Sequence, residues 1–362
     1  MSTALITGAT GFLGGHLARR LCSQGYKVRA LVRPTSCRDA LKTLPIELFE
    51  GDLGNSELIQ EATRGCDVVF HAAADYRLWT RNPSEMYASN VDGTRNIMQA
   101  AWNCGVEKIV YTSTVGTIEL EGRASADESS FLKIGAQTGH YKKSKFLAEQ
   151  EALAFAKRGL PVVIVNPSAP VGSHDWKPTP TGRIVLDFLN GRMPMYLDTG
   201  LNLVDVEDVA VAHLLAAKRG RNGERYILGN ENLTLREILD ILSEITGFPA
   251  PRFRCPYSVA LMAAWCSEGW AVITGAGDPR VPREGVYMAR KYMFYDCKKA
   301  TRELGFQPAP ARSALRKAVL WFVENGYVTR SLPATFPPPM PELLPRTAPV
   351  LQVNHDAVAV GK

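Results

Sequence analysis

Residues 7–15, TGATGFLGG, decide the fold of this chain. An apolar run, residues 4–6, precedes this stretch, and apolar residues at helical spacing follow it, so its glycines are predicted to lie where a buried strand turns into a helix. Glycine at Gly8, Gly11 and Gly14 would permit the tight turn, let the backbone approach a pyrophosphate, and let the helix pack closely on the strand. The helix N-terminus would offer free N–H groups and partial positive charge to that pyrophosphate. The pattern predicts a dinucleotide-binding turn, and the alternative is a purely structural one.

Strand and helix patterns alternate outward from this turn as far as about residue 166. The predicted strands are 3–7, 26–32, 45–50, 67–71, 107–112 and 161–166. The predicted helices are 12–23, 56–63, 94–103 and 141–157. Repeated strand–helix–strand units predict a parallel sheet that binds ligands at the carboxyl ends of its strands. The expected fold class is α/β, a doubly wound parallel Rossmann sheet with a smaller mixed α/β substrate domain.

The regular alternation breaks after residue 166, which suggests a division into domains. We expect residues 1–166 plus 201–228 to form the dinucleotide-binding domain and residues 167–200 plus 229–330 to form the substrate domain. A helix is predicted over 206–217 and a strand over 225–228, and Thr234 with Glu237 has the spacing of a capping box. Residues 311–325 are predicted to form a closing amphipathic helix. Residues 331–362 are proline-rich and are expected to form an extended tail.

The overall composition is that of an ordinary soluble globular protein. The chain has 362 residues and a net charge of +6, without a Lys/Arg cluster long enough to bind nucleic acid. Its seven cysteines are scattered and lack CxxC spacing, which favours reduced thiols, a cytoplasmic protein and no structural metal. A strand pattern begins at residue 3, so we expect no signal peptide.

Arg33 follows the second predicted strand, about where a dinucleotide fold reads the adenosine ribose. An acidic residue there would accept hydrogen bonds from the ribose hydroxyls, whereas arginine favours a 2′-phosphate. We therefore expect NADP(H) to be preferred, with NAD(H) possible, and Arg38 is close enough in sequence to help. The alternative for Arg33 is a solvated surface residue.

Further cofactor contacts are expected where other predicted strands end. Asp52 and Leu53 of the GDL motif could flank the adenine, and the small residues of HAAA could leave room for the cofactor. His71 of that motif is expected to pack within the fold rather than to act in catalysis. The expected cofactor contacts in the glycine-rich turn and at these strand ends are Gly8, Thr10, Gly11, Phe12, Leu13, Gly14, Asp52, Leu53, His71, Ala72, Ala73, Ala74 and Thr112.

Tyr141 and Lys145 lie four residues apart, on one face of the predicted helix 141–157. An ammonium beside a phenol stabilises the phenolate and lowers its pKa from about 10 toward neutrality. The tyrosine could then exchange a proton with a carbinol while hydride passes to or from a nicotinamide. Thr114 or Ser113, at the end of the fifth predicted strand, would hydrogen-bond the same oxygen.

The motifs TGATGFLG, GDL, HAAA, NVDGT, YTST and YKKSK, in this order, resemble the extended short-chain dehydrogenase/reductase superfamily over residues 1 to about 330. The resemblance implies a catalytic set of Thr114, Tyr141 and Lys145, with Asn90 holding the active-site helix and a water. Asn90, Tyr141 and Lys145 are also expected to contact the cofactor. The segment VNPSAPVG resembles the loop beside the nicotinamide, which adds Pro167, Ser168 and Ala169 as cofactor contacts. The family implies a homodimer that pairs through two helices of the nucleotide domain.

Several longer stretches, among them HAAADYRLW and GHYKKSKFLAE, are similar to the hopanoid-associated sugar epimerase group, which itself resembles dihydroflavonol reductases and sterol dehydrogenases. Arg33 departs from the acidic residue usual in nucleotide-sugar epimerases. This departure favours net reduction of a ketone, or oxidation of a secondary alcohol, in hopanoid or sterol-like lipid metabolism. The alternatives are an NAD-dependent nucleotide-sugar 4-epimerase and a non-catalytic dinucleotide sensor. The substrate is accordingly a lipid-like alcohol or ketone, or a nucleotide sugar.

Two later regions are candidates for substrate contact. The proline-flanked segment 168–201 is expected to form a substrate lid. The almost uncharged segment 256–275 is expected to form a buried helix, or else an exposed apolar element that touches a membrane or receives a lipid-like substrate. The substrate candidates are Asp75, Tyr76, Ser113, Trp176, Arg183 and Arg290.

Overall fold

Seven parallel strands form the central sheet. The computed structural model describes residues 1–120, 122–130, 139–275, 278–333 and 336. The strands in these ranges are β1 (Thr3–Thr7), β2 (Lys27–Val32), β3 (Ile46–Glu50), β4 (Val68–His71), β5 (Lys108–Thr112), β6 (Val162–Pro167), β7 (Ala169–Val171), β8 (Met195–Tyr196), β9 (Gly200–Asp205), β10 (Arg225–Leu228), β11 (Glu231–Thr234), β12 (Phe253–Arg254) and β13 (Tyr292–Met293). The order across the central sheet is β10-β6-β5-β4-β1-β2-β3. Because the chain leaves β1 toward β2 on one side and returns to β4 on the other, this is a doubly wound sheet whose crevice lies at the carboxyl ends of β1 and β4.

Helices cover both faces of this sheet. The α-helices are α1 (Phe12–Ser23), α2 (Ser56–Thr63), α3 (Pro83–Tyr87), α4 (Gly93–Asn103), α5 (His140–Lys157), α6 (Pro180–Leu189), α7 (Val206–Arg219), α8 (Leu235–Thr246), α9 (Tyr257–Thr274), α10 (Arg283–Met288) and α11 (Ala311–Glu324). α1 and α7 pack together on one face, and α2, α4 and α5 pack on the other. The strands are therefore apolar on both sides: β4 and β6 are buried along their whole length. The α/β Rossmann prediction is confirmed.

A second apolar core lies beside the carboxyl edge of the central sheet. It is built by α6, α8 and α11 around a four-stranded sheet in which β9 pairs with β7, β11 and β13. The predicted capping box is present, because Thr234 and Glu237 each bond the other's backbone at the start of α8. The division into nucleotide and substrate domains stays a prediction, and most of the proposed tail 331–362 lies outside the described residues.

The helix α9 differs from the main expectation for segment 256–275. The segment does form a helix, but only a narrow stripe around Ala264, Glu268 and Ala271 is buried. Its large apolar side chains are exposed instead, with Trp270 67% and Ile273 83% accessible. The prediction of a buried helix is wrong. A nearly uncharged sequence suggested burial, yet the surrounding elements pack against only one side of this helix.

Candidate active site

The glycine-rich turn leaves no space for side chains at two of its glycines. Gly8 has a φ of +76°, and a Cβ there would lie 2.7 Å from the backbone nitrogen of Ala73. A Cβ on Gly14 would lie 2.0 Å from the carbonyl oxygen of Gly8. α1 begins with Gly11 as its N-cap and has no acidic residue in its first turn. The turn therefore presents bare backbone and an uncompensated helix N-terminus at the crevice, as a dinucleotide pyrophosphate requires.

Buried hydrogen bonds tie β1, β4 and α4 together behind this turn. Thr7 Oγ1 lies 2.7 Å from His71 Nδ1, and Thr94 Oγ1 lies 3.0 Å from His71 Nε2. The Thr94 hydroxyl donates to the carbonyl of Asn90, so His71 Nε2 donates to Thr94 and Nδ1 accepts from Thr7. Burial lowers the pKa of His71 to about 3, which keeps the ring neutral. The fully buried His71 thus links β1 and β4 to α4 inside the fold, as we expected for this residue. Its side chain is turned away from the cofactor crevice.

Asn90 connects the loop after β4 to α5. It lies in a π-helical turn, Ala88–Asp92, a type of distortion that is frequent at functional sites. Its amide oxygen accepts from the backbone N–H of Asp75 at 2.7 Å, and its Nδ2 donates to the Asp75 carbonyl and the Ser144 hydroxyl, both at 2.9 Å. The Ser144 hydroxyl in turn donates to the carbonyl of Tyr141. Asn90 therefore holds the first turn of α5 in place.

Tyr141 is half-buried in that first turn, and its side chain hydrogen-bonds Thr114. Thr114 Oγ1 accepts from the backbone N–H of Gly116 at 3.1 Å, which leaves the threonine hydroxyl proton for a partner in the site. Burial raises the pKa of Tyr141 to about 12, although the bond to Thr114 opposes that shift. This reverses the expectation of a lowered pKa, since desolvation outweighs the stabilisation of the phenolate.

Lys145 is buried at the end of β5, one helical turn after Tyr141. Its ammonium donates to the Tyr111 hydroxyl at 3.0 Å and to the Thr112 carbonyl at 2.8 Å. Burial lowers the pKa of Lys145 to about 7, while the carboxylate of Glu149 opposes the shift. Sequence reasoning missed Tyr111, a fully buried residue that looked like an ordinary strand aromatic.

Glu149 is a buried carboxylate that the sequence analysis also missed. It accepts hydrogen bonds from Ser113, from Thr117 and Asn166 at 2.9 Å each, and from Arg225 at 3.2 Å. The Ser113 hydroxyl is therefore committed to this cluster, which corrects its assignment as a substrate contact. Glu149 lies four residues after Lys145, so extending the Tyr141–Lys145 spacing by one more turn could have found it.

The side chain of Thr112 also points away from the crevice. Its hydroxyl bonds His213 Nε2 at 2.9 Å, on α7. His213 Nδ1 is 2.7 Å from the Val209 carbonyl and must donate to it, so the Thr112 hydroxyl is the donor to Nε2. This corrects the expected cofactor contact, because only the carbonyl of Thr112 reaches the site, through Lys145.

Glu284 brings a further carboxyl to the start of α5. A Cβ on Gly139 would lie 2.0 Å from the Glu284 carboxyl carbon, so the two residues are in contact. Burial raises the pKa of Glu284 to about 7, opposed by the charge of Lys142. One of its oxygens is buried without a hydrogen-bond partner among the described residues. Its charge also raises the pKa of Tyr141, which places it at the same mouth of the site.

The residues expected to bind the adenosine half lie at the ends of β2 and β3. Arg33 is exposed directly after β2, and Arg38 pairs with Glu50 at 2.8 Å. Asp52 is exposed and accepts from the backbone N–H of Gly54, whereas Leu53 is buried. Arg33 is thus the freely accessible cation at this position, since Glu50 already neutralises Arg38.

The remaining expected cofactor contacts surround the same crevice. Ala72, Ala73 and Ala74 follow β4 and are partly exposed. Pro167 ends β6, and the backbone N–H of Ser168 donates to the Leu228 carbonyl, with Ala169 next along the chain. These small side chains leave the carboxyl ends of β4 and β6 open.

The substrate candidates separate into two groups. Asp75 and the exposed Tyr76 follow β4 near the site, and Asp75 is paired with Arg77 at 2.5 Å. Trp176 and Arg290 form the second group: Trp176 packs edge-on against Trp321 at 5.0 Å, and Arg290 lies over the Tyr257 ring. The exposed Arg183 donates to the Pro178 carbonyl, and its charge opposes the rise in the pKa of Tyr76. Asp75 and Tyr76 are near enough to Tyr141 to raise its pKa.

The residues present fit a nicotinamide dinucleotide. The glycine cradle, the α1 N-terminus and the small residues after β4 would hold its phosphates and backbone, and Tyr141, Lys145 and Thr114 lie where the crevice ends. Among the described residues, no group of three or more His, Cys, Asp or Glu side chains could hold a metal ion. The geometry supports chemistry by hydride and proton transfer.

Comparison with known proteins agrees with this geometry. The profile of the NAD-dependent epimerase/dehydratase family matches residues 4–229, which span almost the whole central sheet. One relative is a Synechocystis sp. protein whose name assigns it provisionally to dihydroflavonol 4-reductase. It is 49% identical over 89% of this chain and 95% of its own length. Sterol demethylase protein B of Methylococcus capsulatus is 34% identical over 90% of this chain and 100% of its own.

A solved structure shows that the similarity extends to three dimensions. The crystal structure of gox2253 matches with a TM-score of 0.81 and 45% identity over 91% of this chain and all of that one. The expected resemblance to the extended short-chain dehydrogenases is confirmed, and so is the expectation of an enzyme. The chain belongs to the NAD-dependent epimerase/dehydratase family, within the extended short-chain dehydrogenase/reductase enzymes.

Proposed function

We propose that this enzyme reduces a ketone of a lipid-like substrate to a secondary alcohol, with NADPH as the preferred reductant. The observation that carries the proposal is the meeting of Thr114, Tyr141 and Lys145 at the carboxyl edge of the sheet, beside a glycine cradle that fits a dinucleotide. The bound nicotinamide would supply the hydride. The chain must therefore supply the proton and hold the substrate oxygen.

Tyr141 is the residue that would deliver the proton to the substrate oxygen. With a pKa of about 12, its hydroxyl is protonated at neutral pH, which is the form that a reduction consumes. The Thr114 hydroxyl acts on Tyr141, and it can give its proton to the substrate's carbonyl oxygen instead when that oxygen lies between the two side chains.

Lys145 would assist by placing positive charge near the reacting oxygen. Its pKa of about 7 means that the ammonium is retained only in part at neutral pH, and Tyr111 and Thr112 fix its position. The phenolate that remains after proton delivery is stabilised by a nearby cation. Lys145 is therefore expected to act through Tyr141 and through the bound cofactor.

The preference for NADPH rests on Arg33. It is the exposed cation after β2, at the position where an acidic residue would bind the ribose hydroxyls of NAD. A guanidinium suits the 2′-phosphate through paired, charge-assisted hydrogen bonds. The name of the matched family refers to NAD, and Arg33 is the feature of this chain that favours NADPH instead.

Replacing Tyr141 by Phe tests the reaction. We expect Tyr141→Phe to lower NADPH-dependent turnover of ketones by about 10²-fold or more, because the proton donor is lost, while calorimetric NADPH affinity is retained. Tyr226→Phe is the matched control, since this buried tyrosine bonds Glu303 far from the site. Near-normal turnover in Tyr141→Phe would contradict the assignment.

Replacing Arg33 by Asp tests the cofactor preference. We expect Arg33→Asp to weaken NADPH binding relative to NADH by about tenfold or more, because a charge-assisted hydrogen bond contributes about 1.5–3 kcal/mol. Arg64→Asp is the control. Arg64 is also exposed, but it lies before β4, at the amino ends of the strands, whereas Arg33 lies at a carboxyl end. An unchanged ratio of affinities in Arg33→Asp would remove Arg33 from the site.

The family match favours one alternative, a nucleotide-sugar 4-epimerase that uses the same residues. Such an enzyme oxidises and re-reduces one substrate, so it consumes no net NADPH and retains its cofactor. NAD that resists removal from the purified protein, with no net oxidation of NADPH, would support the epimerase. Stoichiometric NADPH oxidation with a ketone would support the reductase.

The lipid-like substrate class and the homodimer are parts of the same proposal. The similarity to a protein named for sterol demethylation, over 90% of this chain, supports an apolar substrate. The exposed Trp102 on α4 and Leu147 on α5 support pairing through these two helices of the central sheet.

A further inference from the structure

The outer face of α9 is an apolar surface that no described part of the chain covers. Over the 18 residues of this helix the only charged side chain is Glu268, which is buried. The side chains that are more than half exposed are Met262, Trp265, Trp270, Val272 and Ile273. They repeat at helical spacing and form one stripe, and a soluble protein rarely exposes such a stripe without a function.

Three arginine side chains contact α9 at its start, middle and end. Arg290 lies 5.1 Å from the ring of Tyr257 at the start of the helix, and Arg283 lies 4.0 Å from the ring of Trp265 near its middle. Arg81 donates to the carbonyl of Ala271 near its end. Cationic side chains thus lie close to the exposed tryptophans of α9, a combination that matches an apolar layer covered by anionic groups.

Acidic groups offset only part of the positive charge around α9. Arg283 is paired with Glu268 on the inner side of the helix, and Arg254 is paired with Asp198. Within residues 252–275 and 278–291, the exposed cations that remain are Arg252, Arg280, Arg290 and Lys291, against the exposed Asp278. The raised pKa of Glu284 reduces its charge at neutral pH.

The same helix is connected to the active site. α10 packs against α9, and its Glu284 touches Gly139, two residues before Tyr141. Arg81 ties α9 to the segment after β4 that carries Asp75 and Tyr76. A substrate that leaves an apolar layer at α9 would thus pass α10 to reach Tyr141.

We propose that α9 is a membrane-docking surface that lies in the interface of a bilayer rich in anionic lipid. Its tryptophans and Ile273 would enter the boundary between headgroups and acyl chains, and the nearby arginines would bind headgroup phosphates. No helix in the described ranges is long and apolar enough to cross a membrane, so the contact is peripheral. The delivery of substrate from the bilayer rests on the proposed function, but the docking itself does not.

Vesicle co-sedimentation of the full chain, without substrate or cofactor, tests the docking. We expect binding to vesicles of phosphatidylcholine mixed with phosphatidylglycerol, weaker binding to phosphatidylcholine alone, and a decrease with added salt. The double variant Trp270→Glu/Ile273→Glu should bind at least about tenfold more weakly. Both side chains are largely exposed, so the variant is expected to fold and to reduce a water-soluble ketone normally.

Leu48→Glu/Leu332→Glu is the matched control, since it adds the same charge at exposed apolar residues that lie outside α9 and outside the proposed pairing helices α4 and α5. It should bind vesicles like the unaltered chain. The proposal is overturned if the unaltered chain binds neither vesicle, or if the α9 variant binds equally well. It is also overturned if α9 mediates self-association instead, or if vesicle binding appears only after removal of residues 337–362. Because turnover is measured separately, a loss of docking is distinguishable from a failure of the proposed reaction.

Discussion

At the scale of single residues, the groups proposed to act in catalysis could be identified from the sequence, and the residues that surround them could not. The spacing of Tyr141 and Lys145 and the position of Thr114 at a strand end are properties of sequence distance. Tyr111 and Glu149, by contrast, act on Lys145 through contacts between β5, α5 and β10 that no local pattern encodes. For the same reason the sequence suggested a lowered pKa for Tyr141, whereas burial raises it.

Tyr111→Phe is predicted to shift the pH dependence of the reaction. Losing the Tyr111 hydroxyl removes one of two acceptors for the Lys145 ammonium, so the charged form is destabilised and the pKa of Lys145 falls below about 7. Activity that needs the ammonium is lost as pH rises through that pKa. The basic limb of kcat/KM should therefore move down by about one to two pH units, given about 1.5–3 kcal/mol for a hydrogen bond to a charged group.

The measurement is the profile of kcat/KM against pH, which reports groups of the free enzyme. Tyr226→Phe serves as the control, because it removes a buried hydroxyl on β10 that bonds Glu303. A basic limb that stays in place in Tyr111→Phe, or that moves equally in the control, would show that Tyr111 does not position Lys145.

At the scale of elements, periodicity predicted the central sheet well because its rules are local. α1 and α2 begin and end at the predicted residues, and the first six strands lie within one residue of the predicted ranges. α9 shows the limit of such patterns. Apolar composition predicted its helix, but the side on which α9 packs depends on tertiary contacts with α10 and with the segment after β4, and the latter is distant in sequence.

Two adjacent glycines of α1 should respond in opposite ways to alanine. In Gly14→Ala the new Cβ would lie 2.0 Å from the Gly8 carbonyl oxygen, so the turn must open and lose its fit to the pyrophosphate. In Gly15→Ala the nearest atom is the Ala40 Cβ at 3.5 Å, an ordinary contact, and alanine should favour the helix by up to about 1 kcal/mol.

Calorimetric titration with NADPH and thermal unfolding distinguish the two variants. Gly14→Ala is expected to weaken NADPH binding by about tenfold or more and to lower the melting temperature. Gly15→Ala should bind normally and melt at the same or a slightly higher temperature. Equal behaviour of the two variants would mean that the close approach at Gly14 does not shape the site.

At the scale of the whole molecule, the order of the strands explains why separate motifs meet. TGATGFLGG, HAAA, YTST and YKKSK are spread over more than a hundred residues, yet each follows or faces the carboxyl end of a central strand. A doubly wound sheet brings these ends to one edge, so the site could be predicted once the fold was known. The substrate contacts could not, because the second sheet and α9 to α11 are placed by packing against that edge.

The proposed homodimer gives a prediction at this scale. Arg95 on α4 bridges to Glu151 on α5, and the exposed Leu147 lies one turn before Glu151 on the same helix. In a twofold interface each substitution occurs twice, so Leu147→Glu would bury like charges close to each other and to the Glu151 pair.

Sedimentation equilibrium should show a dimer for the unaltered chain and at least about tenfold weaker association for Leu147→Glu. Leu48 on β3 has the same exposed fraction, 38%, so Leu48→Glu should remain dimeric. A monomeric unaltered chain, or equal loss of association in both variants, would exclude pairing through α4 and α5.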